Sequence, residues 1–189
     1  RLKPRRAPLV ASDLPHIPLP EVVRTRHVYR EVDGLRLALD LYRPSEAGRC
    51  PAMVIVVHGG SWSSGDNTQL VGLNRYLASR GYGVAAINYR LAPEHRFPAA
   101  CEDIASSIEF MKERAGEFDI DASRIVVLGR SSGGHLALLA GYVSSNPSIR
   151  GVVALYSPTD MKWSWDGCER VGLKDAARSI EDFLGGTPS

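Results

Sequence analysis

A series of short, valine-rich apolar runs, separated by segments with helical spacing, constrains the fold most strongly. The runs are AMVIVV (52–57), GVAAINY (83–89), RIVVLG (124–129) and GVVALY (151–156). AMVIVV is too short for a helix and apolar throughout, as in a strand buried on both faces, and the other three runs are also predicted to be strands. Strands that alternate with helices require crossover connections, so the sequence predicts an α/β fold with a parallel sheet and helices on both faces.

Apolar residues recur at three- and four-residue intervals between these runs. A first helix is predicted before the stop at Gly81, with Asp66 and Gln69 as its capping box. Further helical faces are formed by Ile104, Ile108, Met111 and Ala115, and by Leu136, Leu139, Ala140 and Val143. A short helix from about 174 to 184 follows a segment without a clear pattern and ends at Gly185-Gly186.

The N-terminal part differs from this alternation. VVRTRHVYREV and LRLALDLYRP alternate apolar and polar residues around Asp33-Gly34, which predicts an antiparallel hairpin. Before them, residues 1–20 are basic and proline-rich and are predicted to form a solvated arm. The alternative is a juxtamembrane stretch that follows a membrane anchor or signal further upstream.

Composition excludes several classes of partner and cofactor. A formal charge of +2 gives no reason to expect a nucleic-acid partner. The three cysteines are far apart and form no C-x-x-C pair, which argues against a disulfide framework and a zinc site. We therefore expect no metal and no cofactor.

The stretch GRSSGGH (129–135) holds the strongest candidate for chemistry. It contains G-x-S-x-G between a predicted buried strand and a predicted helix, which is the strand–turn–helix elbow of a nucleophilic serine, here Ser131. A serine at a helix N-terminus also lies beside free N–H groups, notably that of Ser132, that can stabilise an oxyanion.

A second glycine turn, HGGSW (58–62), follows another buried strand. The absence of side chains at its glycines lets backbone N–H groups face a pocket. Both turns lie at carboxyl ends of parallel strands, and ligands bind at that edge of open α/β sheets.

In order and spacing, HGGSWSSGD, NYRLAPEHRFPAACED, DIDASRIVVLGRSSGGHLA and YSPTD resemble the hormone-sensitive-lipase-like esterases and lipases of the α/β-hydrolase fold. The resemblance implies Ser131 as nucleophile and the backbone N–H groups of Gly60, Ser61 and Ser132 as oxyanion donors. It also implies a sheet of eight strands, of which six are present here. Residues 21–189 would then be the N-terminal part of the domain, and 161–189 the start of a lid.

The sequence departs from the family pattern in four ways. Ser61 replaces the third glycine of the usual HGGG, Arg130 stands where a small or acidic residue is usual, and Asn88 replaces a frequent aspartate. The fourth departure concerns the triad, whose acid and histidine come after the serine in the family. The only histidine after Ser131 is His135, which is predicted to pack beside the elbow, and Asp160 is predicted to cap or shape a loop.

The leading hypothesis is a serine carboxylesterase that acts on small, moderately apolar esters, with Trp62 and Trp163 as candidate pocket residues. Its triad acid and histidine are expected in a missing C-terminal segment, either cut from this chain or present as a second chain, so this chain alone is expected to be inactive. The alternatives are a serine peptidase or amidase and a non-catalytic ligand-binding protein of the same fold. A P-loop or dinucleotide site is disfavoured because GRSSGG lacks both patterns.

Overall fold

The computed structural model describes residues 20–46 and 48–189. Within these residues, six strands and five helices follow one another along the chain. They are β1 (Val22–Val32), β2 (Leu35–Pro44), β3 (Met53–Val57), α1 (Val71–Ser79), β4 (Gly83–Ile87), α2 (Ala99–Glu113), β5 (Ile125–Arg130), α3 (Ser132–Tyr142), β6 (Ile149–Leu155), α4 (Met161–Val171) and α5 (Lys174–Leu184).

The strands form one mixed sheet in the order β1-β2-β4-β3-β5-β6. The four strands β4, β3, β5 and β6 are parallel, and β1 and β2 form an antiparallel hairpin that pairs antiparallel to β4. The predicted α/β fold, with its mostly parallel sheet and N-terminal hairpin, is confirmed.

Strand β3 lies inside the sheet and is buried along its whole length. Met53, Ile55 and Val57 belong to the larger core, which also contains side chains of α2, α3 and α5. Val54 and Val56 belong to a smaller core, which is packed against α1. Because successive side chains of a strand point to opposite faces, a strand covered on both sides must be apolar at every position.

The hairpin turn is formed as predicted from Asp33-Gly34. Both residues have positive φ, 51° and 75°, as the two central residues of a type I′ turn require. Glycine adopts this conformation without cost and aspartate tolerates it better than most residues.

Two details of the helix predictions were wrong. Helix α1 starts at Val71, and the Asp66 carboxylate accepts hydrogen bonds from the N–H and hydroxyl of Thr68, so no capping box forms. The hydrogen bond from the Thr68 hydroxyl is the larger of the two effects that lower the pKa of Asp66, and the bond from the Thr68 N–H is the second. The segment without a clear pattern contains helix α4, which has no fully buried residue and packs against the core through the partly buried Met161 and Trp165.

The predicted basic arm falls almost entirely on residues 1–19, outside the described residues. In the part of the chain that the structure covers, we find no helix of the length and apolarity that a membrane crossing requires.

A buried ion pair fixes the loop that follows β4, next to the strand ends that carry the two glycine turns. The Asp103 carboxylate of α2 is fully buried and accepts hydrogen bonds from the N–H and Nε of Arg90 and from Arg30. The Arg90 guanidinium also donates to Asp33 and Glu102, which are largely exposed. The pair therefore links β1, the hairpin turn, α2 and the loop after β4.

We expect Asp103→Ala to lower the free energy of unfolding by about 3 kcal/mol, because it leaves a buried arginine without its main counter-charge. Urea denaturation measures this loss. The matched control is Glu102→Gln, which removes an exposed partner of the same arginine and should cost less than about 1 kcal/mol. Equal losses in the two variants would contradict a special role for the buried carboxylate.

Candidate active site

Ser131 lies on a sharp turn between β5 and α3. Its φ of 52° and ψ of −126° place it in a region that non-glycine residues rarely adopt. Its N–H donates to the carbonyl of Leu155 at 2.9 Å, and its carbonyl accepts from the N–H groups of Gly134 and His135. The elbow predicted from G-x-S-x-G is therefore present, with a strained serine at its apex.

Close backbone approaches explain the glycines around the elbow. A Cβ at Gly133 would overlap the carbonyl oxygens of Val57 and His58, and a Cβ at Gly129 would overlap the carbonyl of Gly133. The start of α3 thus lies directly against the end of β3. Only glycine lets the two backbones come this close.

The HGGSW turn lies beside the elbow. Gly60, Ser61 and Trp62 have consecutive positive φ values of 136°, 53° and 60°. A Cβ on Gly59 would be 2.9 Å from the Arg130 carbonyl and 3.4 Å from the Ser131 Cβ. The sequence prediction that both turns meet at one edge of the sheet is confirmed.

The N–H groups proposed as oxyanion donors have no partner. Among the described residues, none of the backbone N–H groups of Gly60, Ser61 and Ser132 donates a hydrogen bond to the protein. The Gly60 carbonyl accepts from the N–H groups of Ser63 and Ser64, which closes the turn beneath these donors. Free N–H groups on strained, fixed backbone can stabilise a developing oxyanion without reorganisation.

His58 supports the turn from below. Its ring is buried, stacks on Tyr89 at a centroid distance of 4.2 Å, and donates from Nδ1 to the Gly59 carbonyl at 3.0 Å. The Tyr89 hydroxyl donates in turn to the His58 carbonyl at 3.0 Å. Burial lowers the pKa of His58, so the ring is an uncharged support.

Trp62, His135 and Phe183 form a packed aromatic cluster beside the elbow. The Trp62 ring stacks on Phe183 at 4.9 Å between centroids, and His135 meets both rings edge-on. The Trp62 Nε1–H donates to His135 Nδ1 at 3.3 Å. Burial lowers the pKa of His135 to about 4, so the imidazole is neutral and its Nδ1 is an acceptor.

Two of the departures from the family pattern have structural explanations. The Arg130 guanidinium donates to the side chain of Gln69 at 2.7 Å and contacts the Tyr156 hydroxyl at 3.4 Å, which ties the elbow to two neighbouring loops. The Asn88 side chain accepts from the N–H of Asn67 at 2.8 Å, so an amide performs this structural role here.

The remaining candidates, Asp160 and Trp163, lie at the start of α4. Asp160 caps α4 by accepting from the N–H of Trp163 at 2.8 Å, as predicted, and the Trp163 side chain is 72% exposed. Among the described residues, no side chain hydrogen-bonds the Ser131 hydroxyl, and no cluster of three metal-ligating side chains occurs. The structure therefore brings a strained serine and backbone N–H groups without a protein acceptor close together, while His135 is engaged with Trp62.

Sequence reasoning missed the partners that hold the HGGSW turn. Ala177, Ile180 and Phe183 are buried at three-residue intervals along α5, so their spacing predicts a buried helix face. Nothing in that spacing reveals that the face covers Trp62. Tyr89 lies two residues beyond the end of the buried strand β4 and could have been suspected from its place at the same sheet edge.

Gly133→Ala tests the close approach of α3 to β3. We expect it to cost at least about 2 kcal/mol of unfolding free energy, since backbone carbonyls must move to admit the methyl group. The matched control is Gly167→Ala in α4, where nothing lies near the added Cβ. That change should stabilise the protein by about 0.5–1 kcal/mol. Similar effects of the two substitutions in urea denaturation would refute the steric argument.

The buried, neutral His135 predicts a pH dependence of stability. Between the unfolded pKa of about 6.5 and the folded value of about 4, the unfolded chain binds a proton that the folded chain does not, so stability falls as pH falls through this window. His135→Asn cannot titrate. Its stability relative to the unmodified protein should improve by about 2–3 kcal/mol from about pH 7 to about pH 4.5. Parallel stability curves for the two proteins would contradict the prediction.

Comparison with known proteins places this site in a family. The BD-FAE family model matches residues 39–189. Esterase LipC of Mycobacterium tuberculosis is 32% identical over 195 residues, which cover 96% of this chain and 45% of LipC. Ethyl acetate hydrolase of Pseudomonas putida is 34% identical over 147 residues, which cover 74% of this chain and 46% of that protein. The chain thus spans less than half the length of these relatives.

Solved structures agree with the fold. Inhibited esterase B from Lactobacillus rhamnosis superposes with a TM-score of 0.75 at 26% identity, over 90% of this chain and 60% of that chain. The resemblance found in the sequence motifs is thereby confirmed. The chain belongs to the BD-FAE family, within the serine esterases of the α/β-hydrolase fold.

Proposed function

We propose that the protein is a serine carboxylesterase that hydrolyses small, moderately apolar carboxylic esters through an acyl-enzyme on Ser131. The observation that carries the proposal is the strained Ser131 beside three unpartnered N–H groups. The names of the relatives support the reaction class, and ethyl acetate hydrolase supports a small substrate.

In this mechanism, the Ser131 oxygen attacks the ester carbonyl carbon and its proton passes to a histidine base. The N–H groups of Gly60, Ser61 and Ser132 hold the negative oxygen of the tetrahedral intermediate. The intermediate then expels the alcohol, which takes the proton from the histidine, and leaves an acyl group on Ser131. Water, activated by the same histidine, hydrolyses the acyl-enzyme and restores the serine.

The base and its acidic partner belong to the proposal too. Within the described residues, neither His58 nor His135 hydrogen-bonds the Ser131 hydroxyl, and the hydrogen-bond contacts of their rings are to the Gly59 carbonyl and the Trp62 indole instead. We place the triad histidine and acid in a C-terminal segment outside these 189 residues, in the same polypeptide or in a second chain. Residues 21–189 are then the N-terminal part of the hydrolase domain, and α4 and α5 begin its lid.

Ser131→Ala should abolish ester turnover and labelling by a fluorophosphonate probe, because both need the same oxygen nucleophile. The unmodified protein, purified from its source, should gain one probe adduct on Ser131. Turnover of p-nitrophenyl acetate and intact mass after labelling are the two measurements. Ser106→Ala, which changes a half-buried serine on α2 whose hydroxyl donates to the Glu102 carbonyl, is the control and should behave as the unmodified protein.

The same mass spectrum tests the source of the base. The proposed segment is supported if the labelled species has a larger mass than these 189 residues. It is also supported if a second polypeptide that contains a histidine and an acid co-purifies with the labelled chain. Efficient labelling of the 189 residues alone would contradict it. A protein of full length that is folded but neither labels nor turns over esters would instead favour the non-catalytic, ligand-binding alternative.

A further inference from the structure

We propose that Trp62 is a positioning residue: its hydrogen bond to His135, under the cover of Phe183, holds the oxyanion turn at the correct distance from Ser131. This inference rests on the proposed function, and it assigns Trp62 a role other than lining the ester pocket. It also makes helix α5 part of the catalytic geometry. The argument uses contacts between three segments that are distant in sequence.

The hydrogen bond joins the two halves of the site directly. Trp62 is the third residue of the strained turn that carries the N–H groups of Gly60 and Ser61. His135 lies in the first turn of α3, where its own N–H donates to the Ser131 carbonyl at 3.1 Å. The path from oxyanion donors to nucleophile therefore passes through one side-chain hydrogen bond, Nε1–H to Nδ1 at 3.3 Å.

The turn needs such an external restraint. Ser61 and Trp62 have positive φ values of 53° and 60°, which side-chain-bearing residues adopt only when their surroundings compel it. The Trp62 carbonyl accepts from the N–H of Ala92 at 3.0 Å, which holds the backbone at one point. The indole, 5% exposed, holds it at a second.

Phe183 completes the restraint from α5. Its ring is 2% exposed, stacks on Trp62 at an interplanar angle of 20° and meets Phe97 edge-on. Its carbonyl accepts from the N–H of Phe97 at 2.8 Å, so α5 is fixed to the loop before α2. Since the cluster excludes water, the Trp62–His135 bond lies in a medium that strengthens it.

The chemistry of the acceptor is specific. His135 offers a neutral nitrogen at the δ position of its side chain. Asparagine carries an oxygen acceptor at the same number of bonds from Cβ, whereas leucine has a similar volume and no acceptor. Trp62→Phe removes the donor and retains a ring to stack on Phe183. These three substitutions separate the hydrogen bond from packing.

The first measurement tests the bond itself, independently of activity. The chain has three tryptophans, and Trp62→Phe identifies the indole N–H signal of Trp62 in a proton–nitrogen spectrum. We expect this proton to exchange slowly with solvent, and that of the exposed Trp163 rapidly. His135→Leu should accelerate exchange of the Trp62 proton at least about 10-fold, and His135→Asn should not.

The second measurement is steady-state ester hydrolysis. Trp62→Phe and His135→Leu should each lower kcat about 10- to 100-fold with little change in KM, because misplaced oxyanion donors weaken transition-state binding only. His135→Asn should recover most of this loss. The double variant Trp62→Phe/His135→Leu should be no worse than either single variant, since each already removes the same bond.

Phe183→Leu tests the contribution of α5 and should lower kcat in the same direction. Tyr142→Leu, which changes an exposed aromatic residue outside the cluster, is its control.

If the unmodified protein hydrolyses esters and these variants keep its kcat, the positioning role is wrong while the proposed function stands. If His135→Asn is as impaired as His135→Leu, the bond is not the cause. An unmodified protein without activity would overturn the proposed function, and the positioning role with it.

Discussion

The close approach of helix α3 to the end of strand β3 is the constraint on which the site depends. Strands β3 and β5 are parallel neighbours with Val57 opposite Gly129, so the segments that follow them leave the sheet side by side. Gly133 then lies against the carbonyls of Val57 and His58, where no larger residue fits. Because of this contact, Ser131 on one turn and the N–H groups of Gly60 and Ser61 on the other meet without any long loop to position them.

That arrangement contains strain, and the surrounding core offsets it. Ser131, Ser61 and Trp62 all have positive φ, at a typical cost of about 1–3 kcal/mol each. The Leu155 carbonyl of β6 holds the N–H of Ser131, and the core holds Trp62 through Phe183 and His135. The HGGSW turn is thus held in place by distant parts of the chain that pack on it. In the proposed mechanism this is the preorganisation that electrostatic catalysis requires.

Features set by local patterns could be predicted from the sequence. The buried strands, the Asp33-Gly34 hairpin and the elbow depend on residues that are close along the chain, and the structure contains all of them. Helix α4 was missed, because it has no fully buried residue and contacts the core only through partly buried side chains such as Met161 and Trp165. The prediction of a capping box was wrong, because the Asp66 carboxylate accepts a hydrogen bond from the N–H of Thr68, before the helix starts. The contact of Trp62 with Phe183 is tertiary, and no pattern within either segment encodes it.

Two buried histidines flank the elbow and the glycine turn beside it. His58 and His135 are both buried, burial lowers the pKa of each, and each uses Nδ1 in a hydrogen bond. A base must reach the half-buried serine from its open side. Within the described residues, β6 is the outermost strand on the β5 side of the sheet, and its Val153 and Leu155 are partly exposed. In the proposed mechanism, further parallel strands beside β6 would have their carboxyl ends on the same side of the sheet as Ser131, where a histidine and an acid could complete the site.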